Sequence, residues 1–189
     1  MTPLKIDPEM TQKAEAAARA VGVELPEFAR RQMANQLHAL LIGRTLNALA
    51  DRFGDEVWKI TEETNHALGS ELAPQFAALL GTDATDARSL TRIVDLCDLV
   101  LDIAGDEVVQ ERGEVVRHER SCLLSGLLME HRSHRYCQSI FQPMYRGVLQ
   151  AINPEAGCND MKCMMSQGDD HCEVITWLGR DHESASRPR

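Results

Sequence analysis

The run Cys158-Asn-Asp-Met-Lys-Cys163-Met-Met-Ser-Gln-Gly168-Asp-Asp-His-Cys172-Glu-Val-Ile-Thr-Trp177 decides the reading of this chain. It contains three of the six cysteines and the clearest turn signal. Gly168-Asp169-Asp170 is turn chemistry, because glycine accepts positive φ and aspartate bonds its own backbone. Residues 161–166 and 171–178 therefore read as two strands of a hairpin. A loop over Gln167 to Asp170 would pair Ser166 with His171 and set Cys163 and Cys172 on one face. A loop one residue shorter would set those thiols on opposite faces.

Working outward, a second hairpin is expected over residues 107–121, turning at Gly113-Glu114. A helix with the stripe Ile140, Phe141, Met144, Tyr145, Val148, Leu149 and Ile152 lies between the hairpins, with Pro143 in its early part. Upstream, residues 8–21 read as a helix closed by Gly22. A second helix opens at Pro26, with Met33, Leu37, Leu40, Leu41, Leu46, Leu49 and Phe53 at helical spacing. A third follows the cap Asp55, with Val57, Ile60, Thr64, Ala67, Leu68, Leu72, Phe76 and Leu80 as its buried stripe and Pro74 as a kink or break. A fourth runs from about Leu90 to Gly105, and Cys97 on its apolar side reads as a core thiol.

The expected fold is α+β. N-terminal helices pack on a small antiparallel sheet with strand–strand–helix–strand–strand order. The expected organisation is a helical region over 1–81, an α+β domain with the cysteine cluster over 82–179 and a flexible tail over 180–189. The helices at the front make a homo-oligomer the expected assembly.

The chain has 189 residues and a formal charge of −9, which argues against nucleic-acid and anionic-membrane surfaces. No apolar run approaches the roughly 20 residues that span a bilayer, and the first residues lack a signal-peptide apolar region. A cytoplasmic location with reduced thiols is the resulting expectation. Basic residues nevertheless gather at 112–135, including Arg112, Arg117, Arg120, Arg132 and Arg135. They read either as a solvated face or as a holder for a carboxylate-bearing small molecule.

Cys122, Cys137, Cys163 and Cys172 could supply a thiolate-rich zinc site, although no Cys-x-x-Cys pair is present. A single reactive Cys122, near His118 and Arg120, is a second reading, and purely structural thiols are a third. By strand parity His118 shares a face with Cys122, while His171 points away from Cys172. Glu62 and His66, four apart on one helix, read as an ion pair or an acid–base or metal pair. Arg117, Arg120, Arg135 and Tyr136 are the candidate substrate contacts, and Cys122, His118 and His171 the candidate catalytic groups.

Several of these residues also carry a resemblance. They are Arg52-Phe-Gly-Asp-Glu56 between long helices, Arg120-Ser-Cys122 at a strand end, Tyr136-Cys137 before a helix, Asn153-Pro154, and Met165 through Glu173. Over roughly residues 30–178 the chain resembles the L-2-amino-thiazoline-4-carboxylic acid hydrolase family, and more loosely the four-vinyl reductase type of small-molecule-binding domain. Where that family has Cys-Pro after the strand, Cys122 is followed here by Leu123. The resemblance implies a hydrolase acting on a C–N bond of a small cyclic amidine or related amino-acid derivative. The alternatives are a non-catalytic small-molecule or metal sensor, or a lyase on the same scaffold.

Overall fold

The computed structural model describes residues 26–111, 113–161 and 163–179. The helix expected over 8–21, the tail over 180–189 and Arg112 lie outside the described residues. Among the described residues three helices come first: α1 (Glu27–Phe53), α2 (Glu56–Leu80) and α3 (Ala87–Val100). They are followed by β1 (Ile103–Gln110), β2 (Glu114–Cys122) and a short α4 (Ser125–Glu130). A π-helical turn over Cys137–Phe141 leads into α5 (Gln142–Ile152), and β3 (Ala156–Cys158) and β4 (Cys172–Leu178) close the order. The four strands form one antiparallel sheet in the spatial order β1-β2-β4-β3, so the α+β class with two strands on each side of a helix holds.

Small residues decide where the long helices touch. A Cβ built on Gly69 of α2 would overlap the Met144 carbonyl oxygen and lie 2.9 Å from its carbon. One built on Gly147 of α5 would overlap the His66 carbonyl oxygen in the same way, again 2.9 Å from the carbon. The two backbones thus approach closer than any side chain would allow. Ala73 extends this contact into a core with Ile93 and Val148. On α1 the inward positions are Ala39, packed with Leu124, Leu128 and Tyr136, and Gly43, which faces Ser133.

This overturns much of the buried stripe expected on α2, and it leaves several of the helically spaced apolar residues of α1 outward. Met33, Leu37 and Leu41 are 57%, 55% and 56% exposed, and Ile60 of α2 is 55% exposed. These larger side chains turn outward because the inward faces must fit tight crossings. Pro74 does not break α2, which continues to Leu80 and ends at Gly81 in the left-handed region. Asp55 stands at the helix start, but its carboxylate accepts from Arg135 at 2.7 Å rather than from a helix amide.

Two boundaries also move. The fourth expected helix stops at Val100 instead of Gly105, because Asp102 turns the chain at φ 56° and sends Ile103 into β1. Aspartate tolerates that left-handed conformation better than most residues. The expected hairpin over 161–178 is absent on its first side. Met165–Gln167 form a 3-10 turn closed by Gly168 at φ 101°, and the Asp169 carboxylate accepts from the Met164 amide at 2.6 Å. β4 instead pairs with β2 on one side and the three-residue β3 on the other.

Candidate functional site

A bulge in β2 sorts the chemistry onto two faces. Ala104 pairs with Ser121 but Gly105 pairs with Glu119, so Arg120 is the extra residue. Before it, Val115, Arg117 and Glu119 point into the helix-covered face and His118 points away. After it, Cys122 packs with Leu124, Leu128 and Tyr136 on the helix side. Plain alternation would put His118 and Cys122 together; the inserted residue separates them.

The covered face has a buried polar centre. Arg117 donates from Nε to Asp98 at 3.1 Å and from Nη1 to Asp95 at 2.6 Å. The Tyr145 hydroxyl donates to the other Asp98 oxygen at 3.0 Å. Glu119 lies beside Asp98, and burial, then the neighbouring carboxylate, pushes Glu119 far up. Asp98 is raised by burial against the pull of Arg117. With two buried carboxyls and one guanidinium shared with Asp95, the environment favours the protonated form of Glu119 over a second buried charge beside Asp98. Glu119 Oε1 has no hydrogen-bond partner among the described residues.

Three thiols surround this centre. Cys122 and Cys137 pack against the cluster holding Tyr136, and Cys137 and Cys172 against the main core. Cys172 Sγ accepts from the Met165 amide at 3.3 Å, and Ser166 Oγ lies 3.9 Å from Cys137 Sγ. Burial pushes Cys137 and Cys172 up to about 12 and raises Cys122, where the Leu124 and Ser125 amides oppose the shift. A thiol held above its ordinary value is neutral at pH 7 and is a poor nucleophile. Cys137 sits in the π-helical turn, whose Ser139 donates to Glu62 at 3.0 Å. Cys97 and Cys158 lie in the core, as a small hydrophobe would.

Cys163 lies apart from that group. Its sulfur is 3.7 Å from His171 Nε2. His171 stacks on His118 with ring centroids 4.0 Å apart, and His118 Nε2 is 3.5 Å from Glu173 Oε2. The ligand atoms of His118, His171 and Glu173 lie within 4.8 Å of one another, a group that can hold a metal ion. Among the described residues no three thiols meet that spacing.

The candidate cations all have internal partners. Arg117 is bound to Asp95 and Asp98, Arg120 is 3.8 Å from Asp106, and Arg135 bonds Asp55 while lying 4.8 Å over the Trp58 ring. Tyr136 is buried edge-on against Phe141. Glu62 and His66 serve separate contacts, the first with Ser139 and the second with Gln150. A cleft of about 330 Å³ opens beside Cys122, lined by Leu99, Ile103 and Leu123 with Gln32, Ser121 and Asp102. Asp102 is held there by Arg31 at 2.5 Å.

Sequence reasoning missed Asp98, Glu119, Tyr145 and Glu173 as members of these groups. Asp98 carried one signal, a carboxylate four residues after Val94 on the inward side of α3. Glu119 carried another, an acid in phase with Val115 and Arg117 on the inward face.

No protein-family model matches the chain, and no curated protein matches its sequence. Among solved structures it is similar to the trafficking protein particle complex subunit 3 from Naegleria fowleri covalently bound to palmitic acid, at 17% identity and TM-score 0.56, covering 78% of this chain and 96% of that one. It is also similar to the phenol-responsive sensory domain of the transcription activator PoxR with phenol, at 14% identity and TM-score 0.51, covering 82% and 84%. These are likenesses of fold. No described helix is long and apolar enough to cross a membrane.

Proposed function

We propose that the domain binds a small, largely apolar molecule in the cleft beside Cys122. The observation that carries this reading is the cleft itself: about 330 Å³, with Leu99, Ile103, Ala104 and Leu123 in its lining beside Gln32, Asp102 and Ser121. That size and lining lie at the lower end of ordinary ligand sites. The neutral thiol and the internally paired cations favour a ligand of low charge. Two proteins of similar fold carry palmitic acid and phenol, which supports a ligand of this kind. The test is calorimetric titration of the full chain with phenol and with a medium-chain fatty acid. Saturable binding that weakens at least tenfold in Leu123→Trp, which fills the cleft, is expected. Equal affinity in the folded variant, or no saturable binding of either probe, overturns the reading.

A further inference from the structure

We propose that His118, His171 and Glu173 form a divalent transition-metal site on the sheet face opposite Cys122, Cys137 and Cys172. The register places it there: His118 of β2 is paired directly with Glu173 of β4, and directly opposed side chains on one face lie in contact. The separation of His118 Nε2 from Glu173 Oε2 is 3.5 Å. Tetrahedral ligands at about 2.0–2.1 Å from zinc stand roughly 3.3–3.4 Å apart, so this edge is nearly formed. His171 arrives from the loop before β4 and lays its ring 4.0 Å from that of His118.

The loop also orients the third ligand. Asp170 Oδ1 is 2.5 Å from His171 Nδ1, which leaves Nε2, 3.7 Å from Cys163 Sγ, as the ring nitrogen turned to the site. A carboxylate on the far nitrogen of a histidine is the usual support for a metal ligand, because it fixes the ring and raises its basicity. The side chains of His118, His171 and Glu173 are 22%, 19% and 38% exposed, so an ion can enter and keep water on its open side. Cys163 Sγ, 3.7 Å from His171 Nε2, stands at the rim as the nearest sulfur. Two imidazoles with one carboxylate suit zinc, nickel or copper rather than magnesium or calcium. The bound ion would tie β2 to the loop over 163–171. This site is independent of the cleft, and either proposal can fail without the other.

The test uses nickel(II) with the full chain after chelator treatment, read by calorimetry and by paramagnetic broadening of the histidine side-chain NMR signals. The wild type is expected to bind one ion with broadening confined to His118 and His171. His118→Ala and Glu173→Gln should each weaken that ion at least tenfold. Asp170→Asn, at an exposed position, should weaken it about tenfold without altering the fold. Cys172→Ser, on the other face, should leave it unchanged. Equal stoichiometry and affinity in folded His118→Ala and Asp170→Asn proteins, or broadening of other histidines instead, overturns the proposal.

Discussion

Replacing Glu119 by glutamine separates the buried carboxyl pair from every other titrating group. Glu119 is 3% exposed, and burial with the adjoining Asp98 charge raises it from its ordinary range to about 9. An acid raised on folding binds its proton more tightly in the native state. Stability is therefore fully present below the ordinary carboxylate range and declines as pH rises toward 9. Each tenfold change in proton concentration across that interval is worth about 1.4 kcal/mol, which caps the effect at about 6 kcal/mol. Coupling to Asp98, raised for the same reason of burial, divides the effect between the two groups. We expect the wild type to lose about 2–4 kcal/mol between pH 5 and 9 through this pair. In Glu119→Gln the new amide keeps an N–H donor for Asp98 and cannot ionise. The variant should therefore match the wild type within about 1 kcal/mol at pH 5 and fall less steeply. Urea unfolding at each pH, followed by far-UV circular dichroism, gives both curves. Parallel curves would refute a protonated Glu119 and show that it is ionised in the native state.

Gly147→Ala should destabilise the protein by at least about 3 kcal/mol in the same assay, because its Cβ would overlap the His66 carbonyl oxygen and a helix backbone cannot yield as a side chain does. A loss below about 1 kcal/mol would mean that α2 and α5 are not closely crossed. Leu37→Glu with Leu41→Glu should convert a homo-oligomer to monomers in light scattering with little change in unfolding midpoint, since both side chains are more than half exposed and contiguous exposed apolar faces mark association surfaces. A wild type that is already monomeric would remove the assembly role expected of α1.

The sequence was most legible where one physical rule acted alone. Leu90, Ile93, Val94 and Cys97 on α3, and Tyr145, Val148 and Leu149 on α5, are buried as their spacing predicts. The first hairpin appears almost where Gly113 announced it. Spacing failed on α1 and α2, where apolar periodicity picks the face with the larger side chains, whereas Ala39, Gly43, Gly69 and Ala73 decide which face packs inward. Gly168 and Asp169 do make a turn, but one that closes a 3-10 helix and not a hairpin. The Asp169 carboxylate accepts from the Met164 amide and Met165–Gln167 wind into a 3-10 turn, so the Cys163 carbonyl, accepting from the Glu173 amide, meets β4 where a full strand was expected. The site was legible as a set of residue types and illegible as a set of neighbours. His118, His171 and Cys163 do come together, yet Glu173 completes them only through the register of β2 with β4.

The bulge at Arg120 explains why no parity argument could have found the arrangement. A regular strand would carry His118 and Cys122 on one side and Glu119 and Ser121 on the other. The inserted residue keeps Glu119 and Cys122 together under the helices and leaves His118 outside with Glu173. Gly105 makes the bulge possible from the neighbouring strand, because a Cβ there would overlap the His118 carbonyl oxygen and lie 2.6 Å from the Glu119 Cα. One glycine on β1 thus helps keep Glu119 and Cys122 on a different face from His118 and Glu173. Inside, burial raises the acids and thiols; outside, the two imidazoles and the carboxylate share a partly open edge. A Gly105→Ala chain would have to shift β1 or remove the bulge. Removing it would move Cys122 toward the face of His118 and draw its thiol out of the cluster with Leu124 and Tyr136.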